Sequence, residues 1–139
     1  MKVVFDTSLL VAAARSKSGA SNALLARLPD ATFQTVISVA SFAEYRALLL
    51  RPENLRQRTA SQAESFLDFL ISVSHLQEVF FRWRPALPDP DDDLILELAV
   101  AASCRYIVTH NLRDFRGLEK WGVAAVLPGD FLKLIRKET

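Results

Sequence analysis

Residues 89–109 read DPDDDLILELAVAASCRYIVT, and this stretch decides the fold. Between Asp91 and Cys104, Leu94, Ile95, Leu98, Ala101 and Ala102 recur at the period of a helix with one apolar face. Tyr106-Ile107-Val108-Thr109 then changes to an aromatic and β-branched run, the composition of a short buried strand. A helix that feeds a buried strand is half of a β–α–β unit, and the same alternation continues on both sides. Upstream, Lys2–Phe5 reads as a strand stopped at Asp6. Ser8–Ala14 and Ser21–Leu28 read as helices around a Ser16–Gly19 turn, and Thr32–Ile37 as a second strand. Val39–Leu50 reads as a helix opened by Ser38 or Ser41 and closed before Pro52. Ser61–Val73 presents Phe66, Leu67, Leu70 and Ile71 on one helical face, and Leu76–Phe81 is a third strand at a sheet edge. Downstream come a strand over Val123–Leu127 and a helix over Pro128–Lys137. This order predicts an α/β fold, a parallel sheet covered by helices on both faces.

A chain of 139 residues fits one domain, residues 1–139. With 50% hydrophobic and 24% charged residues it is not a disordered chain. Seventeen Lys and Arg against sixteen Asp and Glu give a net charge of +1. Nucleic-acid binding through bulk charge alone is therefore not indicated, and any such site must be local. The single cysteine, Cys104, excludes an internal disulfide and a cysteine-based zinc site. It reads as a small core residue in a protein of the reducing cytoplasm. His75 and His110 lack metal-pair spacing and read as structural or surface residues. No apolar run reaches the roughly 18–20 residues of a membrane helix. Lys2-Val3-Val4-Phe5 before Asp6 does not read as a signal peptide.

In open parallel sheets, sites gather beyond the carboxyl ends of the strands. Asp6-Thr7-Ser8 follows the first strand, where each residue is also a good helix cap. Glu44 falls between Ala40 and Leu48 on the apolar stripe Ala40, Ala43, Ala47 and Leu48, where an uncompensated carboxylate is costly. The alternative use of Glu44 is a capping box with Ser41, which needs a later helix start. Asp89-Pro90-Asp91-Asp92-Asp93 holds more acid than one helix start can use. Glu97 lies one turn beyond Asp93 on the same face. Thr109 ends its strand with a hydroxyl at the same rim, followed by Asn111 and Asp114, which are also ordinary turn residues. Carboxylates gathered at adjacent strand ends would raise one another's pKa, and a bound divalent cation relieves that repulsion. An all-oxygen set suits Mg²⁺ or Mn²⁺, which activates water and offsets charge on a phosphodiester.

In the order Val3-Val4-Phe5-Asp6-Thr7-Ser8, Glu44, Asp89-Pro90-Asp91-Asp92-Asp93, Tyr106-Ile107-Val108-Thr109 and Asn111 with Asp114-Phe115, the chain resembles PIN-domain ribonucleases. The nearest likeness is to VapC-like toxins of toxin–antitoxin pairs. The resemblance spans nearly the whole chain and includes the sixteen-residue step from Asp93 to Thr109. It implies a three-layer α/β/α sandwich around a four- or five-stranded parallel sheet. It also implies metal-dependent endonucleolytic cleavage of RNA. Asp6, Glu44 and Asp93 would be the core acids holding Mg²⁺ or Mn²⁺, supported by Thr7 and Thr109. A small antitoxin and a second copy of the chain are the implied partners. Ser8 stands where many relatives carry Asn. Asn111 stands where some relatives carry a fourth acid that others place at the position of Asp114. Asp114, as a full anion, is the expected fourth ligand, with Asn111 orienting it.

Arg46 and Arg113 are the candidate phosphate contacts, and Arg82-Trp83-Arg84 suits stacking on a base. Two other classes compete. Aspartate-based phosphotransfer wants a second acid near the first strand, where Ser8 stands, or a Lys after the last strand, where Val126-Leu127-Pro128 has none. A non-catalytic module of the same fold would bind no metal.

Overall fold

The computed structural model describes residues 1–80 and 87–137. The Arg82-Trp83-Arg84 segment and the predicted end of the third strand at Phe81 lie outside the described residues.

Five short strands form one all-parallel sheet: β1 (Lys2–Phe5), β2 (Gln34–Ile37), β3 (His75–Leu76), β4 (Tyr106–Val108) and β5 (Ala124–Val126). Their order across the sheet is β3-β2-β1-β4-β5. Val3 pairs with Tyr106 and Phe5 with Val108, so β1 and β4 end together. The expected α/β fold with a parallel sheet is the observed one, and β3 lies at the edge, as read from the sequence, although it covers only His75–Leu76 and residues 77–80 are not strand.

The two faces of β1 seed two cores, because successive strand side chains point to opposite sides. Val3 and Phe5 pack with Leu9, Leu10, Leu24, Tyr45, Leu67, Leu70 and Phe131. These come from α1 (Thr7–Arg15), α2 (Ala20–Ala26), α3 (Val39–Leu49), α5 (Ala60–Val73) and α7 (Pro128–Lys137). Val4 packs on the other side with Val36 and Ile107, with Ile95, Leu98 and Ala99 of α6 (Pro90–Ala101), and with Ala102 just after it. Cys104 is buried in this second core, and burial pushes its thiol up to about 12, as expected of an inert core residue. A one-turn helix, α4 (Pro52–Leu55), opens on Pro52.

Three local expectations are corrected. The α6 helix ends at Ala101 rather than Cys104: Ser103 takes φ 55°, and Cys104 N–H donates to Ala99 O at 2.7 Å, which closes the helix. On α3 the buried residues are Ser41, Tyr45 and Leu49, whereas Ala40, Ala43 and Ala47 are exposed. Alanines carry little area, so the large Tyr45 and Leu49 set which face turns inward. Tyr45 also donates its hydroxyl to the Phe5 carbonyl, which fixes the rotation of α3 beneath the end of β1. Finally, Ser38 and Ser41 cap each other's backbone, so Glu44 takes no part in a capping box.

Candidate metal centre

The chain runs outward from β1 through β2 to β3, then returns to place β4 on the other side of β1. This reversal opens a crevice beyond the carboxyl ends of β1 and β4. Asp6 N–H donates to Val108 O at 2.9 Å across that point. Asp6 occupies the N-cap position of α1, but its side chain makes no cap hydrogen bond. One of its oxygens, Oδ2, instead accepts from Ser8 Oγ at 2.7 Å and from Thr109 Oγ1 at 2.8 Å. Asp6 is only 4% exposed and Thr109 fully buried, so hydroxyl groups replace water around this carboxylate.

Glu44 reaches the same rim from α3. Thr7 Oγ1 donates to its Oε1 at 3.0 Å, while Oε2 is buried with no hydrogen-bond partner. Burial raises the Glu44 carboxyl, the Thr7 bond opposes this, and the charges of Asp91, Asp6 and Asp89 raise it further. A desolvated carboxylate oxygen left unpaired is costly unless a cation completes it.

The start of α6 brings a run of acids to this end of the sheet. Asp89 caps the helix by accepting from Asp91 N–H at 2.9 Å. The Asp92 carboxyl is pushed up to about 7, by burial first and then by Asp6, Asp89, Asp114 and Glu44. Asp92 thus shares one field with acids from three other segments. Asp93, the residue expected here, is turned inward. Its Oδ1 accepts from Leu87 N–H at 2.8 Å, and its Oδ2 is buried without a partner. Neighbouring helical residues point about 100° apart, so the two cannot serve the same rim equally. Asp92 continues the stripe of Ile95, Ala99 and Ala102, which packs on the sheet, and so projects past the strand ends. In the sequence the same spacing sets Asp92, and not Asp93, on the stripe of Ile95, Ala99 and Ala102. Asp93 shares its face with Glu97, which is likewise buried.

Asn111 caps a 3-10 turn, Leu112–Phe115, and Asp114 N–H donates to Asn111 O at 3.0 Å. Asp114 and Arg113 are exposed on this turn. Arg46 is not brought to the crevice: it pairs with Glu64 of α5 at 2.5 Å, on a face of α3 away from Glu44. Among the described residues, no three acidic, histidine or cysteine side chains are grouped tightly enough to hold one ion as they stand. The acids fit a hard dication by donor type and by their unmet demand for charge, and closing on it requires their side chains to swing inward.

The chain belongs to the PIN-domain family, whose pattern matches residues 2–113. No curated protein matches it in sequence. Among solved structures it is similar to a chain in the crystal structure of VapBC2 from Rickettsia felis bound to a DNA fragment from their promoter. That match has a TM-score of 0.62 at 17% identity and covers 90% of this chain and 98% of the other.

Proposed function

We propose that the protein is a divalent-metal-dependent endoribonuclease, the toxin of a toxin–antitoxin pair. The observation that carries this reading is that Asp6, Glu44 and Asp114, from three other segments at the β1/β4 reversal, all act on the Asp92 carboxyl and raise it. Asp6, Glu44 and Asp92 would hold Mg²⁺ or Mn²⁺, with Asp114 at its outer edge. When bound, the ion supplies a Lewis acid that makes water nucleophilic near neutral pH and offsets charge on a phosphodiester. Thr7, Ser8 and Thr109 hold Glu44 and Asp6 in place. Exposed Arg113, beside Asp114, suits a contact to the RNA backbone. Resemblance to VapBC2 supports an antitoxin partner, and exposed Phe69 on α5 supports a homodimer through that helix. No helix among the described residues is long and apolar enough to cross a membrane.

Purified protein is expected to cut single-stranded RNA with Mg²⁺ or Mn²⁺ and to stop in EDTA, read by mapping the cleaved ends. Cleavage unchanged in excess chelator would overturn the metal reading, and absence of any metal binding would leave a non-catalytic module. Asp114→Asn is expected to slow cleavage and weaken metal binding roughly tenfold to a hundredfold, the size of an outer-partner loss. Asn111→Ala should cost less. If Asn111→Ala is the more damaging change, Asp114 is only a turn residue.

A further inference from the structure

His110 plays no part in the metal centre, yet it is held at both ends. Its backbone N–H donates to Ser8 Oγ at 3.1 Å, and its ring Nε2 lies 2.7 Å from Ser21 Oγ. Ser8 is the residue whose hydroxyl donates to Asp6 Oδ2, and Ser21 is buried in the first turn of α2. A continuous line of hydrogen bonds therefore runs from Asp6 through Ser8 and His110 to α2. The residues beside His110 are fixed to the same carboxylate. Thr109 Oγ1 donates to Asp6 Oδ2 and accepts from Asn111 N–H at 2.9 Å.

The 3-10 turn that carries Asp114 begins immediately after this anchored segment. Asn111, Leu112, Arg113 and Asp114 are all exposed, and Phe115 alone of the turn is buried. An exposed turn keeps one conformation only if bonds at its ends offset the entropy of ordering it. Phe115 anchors one end through the core; the Thr109–Asn111 segment anchors the other.

We infer that His110 is a positioning residue: by clasping Ser21 it fixes the entry to the Leu112–Phe115 turn and so sets where Asp114 stands relative to Asp6 and Asp92. The functional part of this inference rests on the metal-centre reading above. The clasp spans three elements, the end of β4, the start of α1 and the start of α2. Ser21 contributes a hydroxyl, which Thr can replace and Ala cannot.

The test uses the full chain as wild type, His110→Ala, Ser21→Ala and Ser21→Thr, each also combined with Asp114→Asn. Amide exchange is measured without metal, and Mn²⁺ binding by calorimetry. His110→Ala and Ser21→Ala are expected to speed exchange at residues 110–115 and to weaken Mn²⁺ roughly threefold to tenfold, at or below the range for an outer partner of a ligand. Ser21→Thr should restore both, and its imidazole nitrogen shifts should match wild type where those of Ser21→Ala do not. In the Asp114→Asn background, neither change should weaken Mn²⁺ further, because the clasp acts through Asp114. Wild-type exchange and affinity in both alanine variants would overturn the inference, as would an undiminished loss in the Asp114→Asn background. If wild type binds no Mn²⁺, the metal reading fails, and the exchange measurements still decide whether the clasp orders the turn. Ser21→Ala keeps the test decisive should His110→Ala fail to fold.

Discussion

Asp92→Asn is expected to lose RNA cleavage by about a hundredfold or more, as for loss of a metal-holding acid. The same substitution should raise the melting temperature of the metal-free protein at pH 8. The sign follows from proton linkage. The folded Asp92 carboxyl holds its proton up to about pH 7, against an ordinary value of 3.8. Between these limits the native state binds more protons than the unfolded one, so stability falls as pH rises through the window and the full penalty stands above it. Asparagine carries no such penalty. Because Asp92 is partly open to solvent, the gain is discounted to roughly 1–2 kcal/mol, a few degrees in a domain of this size. The gap between variant and wild type should close as pH falls toward 4. Asp93→Ala should behave oppositely. It leaves Leu87 N–H without its acceptor and costs about 1–3 kcal/mol of stability, while cleavage per folded molecule stays within a few-fold of wild type. Thermal melts at pH 4 and pH 8 in chelator, with cleavage assays beside them, check both. If Asp93→Ala abolishes cleavage and Asp92→Asn cuts normally, the third acid is Asp93.

Glu44→Gln is the second large effect. Cleavage should fall by about a hundredfold or more, because the amide presents a neutral oxygen where a dication needs an anion. The metal-free fold should be as stable as wild type or more so. Glutamine can still accept from Thr7, and it removes a carboxylate that burial and the charges of Asp91, Asp6 and Asp89 disfavour. Since that carboxyl is raised, its ionisation destabilises the native state as pH rises above the ordinary glutamate value, so any gain should grow with pH. A sharp drop in melting temperature with cleavage retained would make Glu44 a structural partner of Thr7 and nothing more.

The architecture was legible because its signals are local and repeated. Alternating strand and helix compositions, stopped by Asp6, Pro52 and Pro128, leave few arrangements other than a covered parallel sheet. The strand-end rule then named Asp6 and Thr109, whose contact at 2.8 Å joins residues 103 positions apart. Glu44 was named on a different ground, its place on an apolar stripe whose alanines are in fact exposed. Helix rotation was less legible. Composition counted the alanines of α3, whereas packing obeyed Tyr45 and Leu49, which bury far more area.

By itself, then, the sequence determined the α/β class, the parallel sheet and the segments that meet at its carboxyl edge, because period and punctuation are properties of neighbouring residues. Only the tertiary structure decided that Asp93 of the Asp91-Asp92-Asp93 run turns inward to Leu87 N–H while Asp92 shares the field of Asp6 and Glu44, that Arg46 turns away to Glu64, and that His110 clasps Ser21. Those choices depend on how each helix is rotated against the sheet. A step of one residue turns a helical side chain by about 100°, an angle fixed by the packing of distant residues and not by the run of like acids itself.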